Sequence, residues 1–181
     1  MKLQLKEKIN AFRNYLNLVL YVLALFLFTI IVIRFFVISP GKTNGPSMQP
    51  TFVDNDLFFV NKIVYLFTEP KRYDIVQIID PEDQKLMLKR IIGMPGEVII
   101  IKRGKVFVRV IGETQERQII ESDYLDSRVY TKLMGQNRPL TYVVGDGQYF
   151  LLGDNRPKST DSRYYGPVLR TNITGRIIEI K

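Results

Sequence analysis

The 181-residue chain contains no cysteine and no histidine. Without cysteine there is neither a disulfide framework nor a thiol nucleophile. Without histidine, Ser-His-Asp catalysis, Cys-His catalysis and the usual zinc sites fall away together. A hydrolase built on this sequence must draw its base from Lys, Asp or Glu. Single-sign charge blocks are lacking too. The net charge of +8 divides evenly, because residues 1–34 hold five Lys or Arg and one Glu while the remainder holds 21 and 17. No basic block with aromatic interleaving occurs, so nucleic acid is not an expected partner.

One long apolar run is present. Asn14 to Ile33 carries no charge, and Leu18 to Ile33 is almost wholly apolar. Twenty helical residues at about 1.5 Å each match a bilayer core of roughly 30 Å. Lys2, Lys6, Lys8 and Arg13 lie upstream, against only Arg34 and Lys42 close downstream. The positive-inside rule then places residues 1–13 in the cytoplasm, a single transmembrane anchor over 14–38, and residues 39–181 on the extracytoplasmic side of the cell membrane. The run exceeds the roughly 7–15 residues of a cleavable signal and has no A-x-A-like site after it, so it reads as a retained anchor. Arg34 is placed to snorkel toward the headgroups.

Past Ser39 the pattern changes to short runs rich in Val, Ile, Phe and Tyr, punctuated by Gly, Pro and Asp. Strands are expected over Leu57–Asn61, Ile75–Ile79, Leu86–Ile92, Val98–Lys102, Lys105–Val110, Tyr142–Val144, Tyr149–Leu152 and Arg176–Ile180. Arg103-Gly104 reads as a tight hairpin turn, and Asn61–Phe67 as at most one or two helical turns. The fold class is therefore all-β and mainly antiparallel behind one N-terminal helix. A less regular insertion is expected at about 112–139, where polarity rises and periodicity weakens.

Three stretches carry candidate chemistry. In Gly45-Pro46-Ser47-Met48-Gln49-Pro50-Thr51, two prolines stiffen the backbone around a serine. An ordinary proline-rich turn has the same composition. In Leu86-Met87-Leu88-Lys89-Arg90-Ile91-Ile92-Gly93, strand alternation puts Met87, Lys89 and Ile91 on one face and Arg90 on the other. Burial between Met and Ile favours the neutral amine, as a lysine base requires. An edge-strand lysine that deters aggregation is the alternative, but apolar residues on both faces argue for a central strand. The third stretch, Gly153 to Arg163, is crowded with turn formers and hydroxyls. It reads as a solvated loop by composition, and its acidic spacing does not follow a calcium-binding EF-hand.

Together, Ser47-Met48-Gln49-Pro50-Thr51, Lys89-Arg90-Ile91-Ile92-Gly93-Met94-Pro95-Gly96, and Gly153-Asp154-Asn155 through Ser159, Asp161, Ser162 and Arg163 resemble the three signatures of the bacterial type I signal peptidases. These are membrane-anchored Ser-Lys proteases, and the single anchor is similar to Gram-positive forms. The resemblance implies Ser47 as nucleophile and Lys89 as general base, with Ser159 orienting the lysine amine. It also implies a supporting charge network of Asp161, Arg163 and Arg90. The oxyanion donors would be the Ser47 N–H and a group near Gly45. Met87 and Leu88 would line shallow pockets for small substrate side chains. Signal peptides of secreted preproteins and the lipid bilayer are the implied partners, with no metal and no cofactor. Two other readings stay open: a catalytically idle relative that assembles surface fibres, and an anchored peptide- or glycan-binding module. A penicillin-binding reading fails because Ser-x-x-Lys needs lysine where Pro50 stands.

The linker Ser39 to Asn44 keeps Ser47 within about 30 Å of the membrane even when extended. Apolar positions around Phe52 and Phe58-Phe59 offer either a lipid-facing surface or strand core. One departure from the family pattern is Tyr73-Asp74-Ile75-Val76, where relatives carry glycine in the place of Tyr73.

Overall fold

The computed structural model describes residues 2–126, 129–131 and 139–179. Ile180 and residues 127–128 and 132–138 of the expected insertion lie outside the described residues. The chain divides into two units, Met1–Ser39 and Pro40–Lys181.

The first unit is α1 (Lys2–Val32), which loosens into a π-helical turn over Ile33–Val37. Its segment Lys6–Val32 is long and apolar enough to cross a membrane. The helix starts well before Asn14, because Lys, Gln, Leu and Glu in the opening turns are all good helix formers. Within this unit Arg34 Nη1 donates to Ser39 Oγ at 3.3 Å.

The second unit, with β1 beginning two residues before its boundary, holds two sheets. Its elements are β1 (Ile38–Lys42), β2 (Leu57–Asn61), α2 (Val64–Phe67), β3 (Ile75–Ile79), β4 (Leu86–Gly93), β5 (Glu97–Lys102), β6 (Lys105–Val110), β7 (Arg117–Gln118), β8 (Leu140–Val144), β9 (Gln148–Leu152), α3 (Ser162–Tyr165), β10 (Val168–Leu169) and β11 (Ile173–Glu179). The larger sheet has the order β1-β2-β11-β3-β4-β9-β10, and the smaller the order β7-β6-β5-β8. From β2 onward the pairings are antiparallel. The β5–β6 hairpin turns on Arg103 (φ 52°) and Gly104 (φ 74°), the two left-handed positions that a tight primed turn needs.

β4 lies between β3 and β9, inside the larger sheet, and its two faces pack differently. Met87 and Ile91 face a cluster with Val76, Ile78, Tyr149 and Leu151. Leu88 faces another with Met48, Phe52, Phe58 and Ile75. Ile92, also on the Leu88 face, joins Phe150 and Leu152 in covering β5 and β6 through Ile99, Ile101 and Val106. Phe52 and Phe58 are therefore core residues, at 4% and 3% exposure, and not a lipid-facing surface. Only Phe59, one residue along β2, turns outward.

Candidate active site

β4 carries two consecutive cations into the interior. Lys89 is 1% exposed and Arg90 8%. Strand alternation sends them to opposite faces, and their surroundings differ accordingly. Arg90 donates from Nε and Nη2 to the two oxygens of Asp154, at 2.9 and 2.7 Å, and from Nη1 to the Tyr73 carbonyl at 3.1 Å. The Tyr124 ring lies 4.1 Å from its guanidinium carbon. Thr51 Oγ1 donates to Asp154 at 2.5 Å, so the loop after Ser47 is tied into the same group.

Lys89 sits among Val76, Met87 and Ile91 on its own face. Among the described residues its amine makes no hydrogen bond, and neither does the Ser47 hydroxyl. Burial holds the Lys89 amine below the usual lysine range, opposed chiefly by the negative charges of Asp161 and Asp80.

Gly153 brings the three stretches together. It follows the paired position Leu152↔Arg90, so continuing the register sets it beside Lys89. A Cβ on Gly153 would collide with Ser159 Oγ and come within 2.6 Å of the Ser47 carbonyl oxygen. Glycine is what allows that close approach. The next donor along, Asn155 N–H, bonds the same Ser47 carbonyl at 3.0 Å. Ser159 Oγ is buried with no partner among the described residues.

Asp161 is fully buried and accepts from Gly153 N–H at 3.0 Å. It also takes Arg163 Nε and Nη2 at 2.7 and 2.8 Å. Arg163 Nη2 in turn donates to the carbonyls of Arg156 and Ser159. Two buried ion pairs result, Arg90–Asp154 and Arg163–Asp161. Gly45 lies at φ 87° and gives its N–H to Asp54 Oδ1 at 2.9 Å, so that N–H is already committed. Met87 shares the Lys89 face, whereas Leu88 is buried on the other.

The family model described as signal peptidase, peptidase S26, matches residues 13–180. The chain belongs to that family. Signal peptidase I V of Bacillus subtilis is 37% identical over 75% of this chain and 81% of its own length. Signal peptidase I of Bacillus licheniformis is 36% identical over 74% and 70%. A crystal structure of a signal peptidase I from Enterococcus faecalis V583 covers 61% of this chain and 98% of its own, with 25% identity and a TM-score of 0.47. As a member of the signal peptidase family, the chain is a serine peptidase, a hydrolase.

Several residues around this site escaped sequence reasoning. Asp154 stood within the third signature without a role, and its partner Arg90 is 64 positions away. Spacing carries no signal for such a pair. Glu121 and Tyr124 fell inside the insertion, where polarity argued for periphery. Tyr73 is informative in retrospect, because it adopts φ 72°, a left-handed value that favours glycine. A tyrosine held there stores about 1 kcal/mol of strain. Its ring packs 6.0 Å from that of Tyr124. A cleft of about 800 Å³ opens beside these two rings, lined also by Thr51, Arg90 and Ile120, on the face away from Lys89.

Proposed function

We propose that this chain is a membrane-anchored serine endopeptidase that removes N-terminal signal peptides from exported preproteins, cutting after small residues with a Ser47–Lys89 dyad. The observation that carries the reading is Lys89 itself. An amine buried inside a sheet with no ion-pair partner among the described residues, level with Gly153 where the Ser47 carbonyl and Ser159 Oγ both approach, is a poor structural element and a suitable base.

In the acylation step the neutral Lys89 amine takes the proton from Ser47 Oγ as the oxygen attacks the scissile carbonyl. The tetrahedral oxyanion is met by the Ser47 N–H. The Lys89 ammonium then gives its proton to the departing amine of the mature chain. For deacylation the amine, neutral again, takes a proton from the water that attacks the acyl-enzyme; the acyl–oxygen bond then breaks, the Lys89 ammonium returns the proton to Ser47 Oγ, and the signal peptide leaves with a C-terminal carboxyl. Ser159, whose buried hydroxyl next to Gly153 has no partner among the described residues, would orient the amine by accepting its hydrogen bond. The Asp161–Arg163 pair fixes the loop that carries Ser159. Met87 and Leu88, on opposite faces of β4, line separate pockets for small side chains. With Gly45 N–H engaged by Asp54, the second oxyanion donor comes from another group.

The excess of Lys and Arg before the apolar segment orients it with the N-terminus inside, leaving residues 39–181 outside and the signal peptide within the same bilayer as the anchor. The test is cleavage of a precursor bearing an Ala-x-Ala site by the wild type, Ser47→Ala and Lys89→Ala. Cleavage by the wild type alone is expected. Cleavage retained in either variant overturns the dyad.

A further inference from the structure

The insertion is more than a peripheral appendage. Arg156, 1% exposed, is held almost entirely by it. Its Nη2 donates to Glu121 Oε1 at 2.5 Å and its Nη1 to Glu121 Oε2 at 3.2 Å. Nη1 also reaches Thr131 Oγ1, and Nε returns to the Gly153 carbonyl at 3.1 Å. A third hydrogen bond to the Glu121 carboxylate comes from the Tyr124 hydroxyl at 3.0 Å. The Tyr124 ring covers Arg90, which grips Asp154 through both carboxylate oxygens.

The two routes from Glu121 end two residues apart in one turn. One ends at Arg156 directly, the other at Asp154 through Tyr124 and Arg90. Between them lies Asn155, whose N–H holds the Ser47 carbonyl at 3.0 Å. A single carboxylate of the insertion therefore braces both neighbours of the residue that fixes the nucleophile's backbone. Glu121 is itself anchored: its carbonyl accepts from Leu125 N–H at 2.9 Å, and Ile119 and Leu125 are buried.

We propose that Glu121 is a positioning residue for the peptidase site, clamping the 154–156 turn against Ser47 through Arg156 and through the Tyr124–Arg90–Asp154 relay. The catalytic part of this inference rests on the Ser47–Lys89 reading; the clamp itself does not. A bound geometry displaced by about 1 Å can cost about 100-fold in rate. A loosened clamp should thus appear in turnover more than in substrate capture.

The experiment uses the full chain in detergent micelles or liposomes, with Glu121→Ala, Glu121→Gln and Tyr124→Phe. Two readouts are taken: steady-state cleavage of an Ala-x-Ala precursor, and amide hydrogen exchange over residues 153–159. Glu121→Ala should lower kcat about 10- to 100-fold with KM within about twofold of wild type. Exchange should quicken at 153–159 while β5 and β6 stay protected. Glu121→Gln, which keeps an acceptor for Arg156, should recover kcat to within about fivefold. Tyr124→Phe, which cuts only the relay, should fall between the two. If Glu121→Ala does not fold, the ordering of Tyr124→Phe below wild type in kcat with quickened exchange supports the clamp. Unchanged exchange at 153–159 in the soluble variants, or a kcat within twofold of wild type in Glu121→Ala, overturns it. A wild type that cleaves nothing while Glu121→Ala still quickens exchange leaves the clamp standing and overturns the peptidase mechanism instead.

Discussion

The two faces of β4 solve the same problem in opposite ways. Each receives a buried cation one residue from the other. On the Arg90 face every charge is answered: a bidentate carboxylate, a carbonyl and an aromatic ring surround the guanidinium. On the Lys89 face the amine has apolar neighbours and no hydrogen-bond partner among the described residues. Arginine cannot shed its proton in a protein, so it must be paired when buried. Lysine can, and an unanswered site depresses its pKa. The contrast teaches that one face is built to hold a charge, whereas the other opposes one by burial.

The strongest way to break the contrast is to put a permanent cation on the wrong face. Lys89→Arg keeps the charge and removes the base, and it should lower kcat by about 10³-fold or more in a precursor-cleavage assay. Next comes the opposite error. Arg90→Met strands Asp154, 1% exposed, without its cation and should cost about 3–5 kcal/mol of stability by thermal or denaturant unfolding. Gly153→Ala attacks the junction of the faces, because the added methyl meets Ser159 and Ser47. A destabilisation of about 1–3 kcal/mol is expected, with a loss of turnover measured below the melting temperature.

The two smaller effects are read against pH. Activity should rise with pH as Lys89 loses its proton, with the midpoint below the usual lysine range; a flat profile from about pH 5 to 9 contradicts the base. Asp80 raises the lysine's affinity for its proton, so Asp80→Asn should move the rising limb to lower pH. Lys89→Met fills the site with an apolar side chain and should stabilise the fold by about 1 kcal/mol, or about 2–4 °C in melting temperature. The folded state binds fewer protons at Lys89 than the unfolded chain does, because burial lowers the folded value. Wild-type stability from this group therefore climbs with pH between the folded and unfolded values. The gain in Lys89→Met should accordingly be largest at low pH and fade toward the unfolded lysine value.

Much of this arrangement was legible in the sequence because it is local. Strand alternation placed Lys89 and Arg90 on opposite faces, and the apolar residues around both put β4 inside the sheet. Three strands, Leu57–Asn61, Ile75–Ile79 and Lys105–Val110, keep their expected bounds. The short strands β7 and β10 have only two residues each, too few to show a period. Phe52 and Phe58 could not be assigned between core and lipid, since an apolar strand reads alike in both. Pairing across long separations was illegible for a different reason. Asp154 and Asp161 look equivalent in the third signature, yet one takes a cation from β4 and the other takes Arg163 two residues on. The role of Glu121 depends on which loop the insertion meets, and composition says nothing about that.

The order of the larger sheet has a consequence in time. β11 lies between β2 and β3, so residues 173–179 separate strands formed by residues 57–61 and 75–79. Pairings of such sequence separation form late, after the entropy of closing long loops has been met. Until residues 173–179 have paired, β3 lacks one neighbour and the larger sheet, which includes the strand of Lys89, is incomplete. A peptidase of this topology assembles the strand that carries Lys89 into a finished sheet only once its last strand has been made.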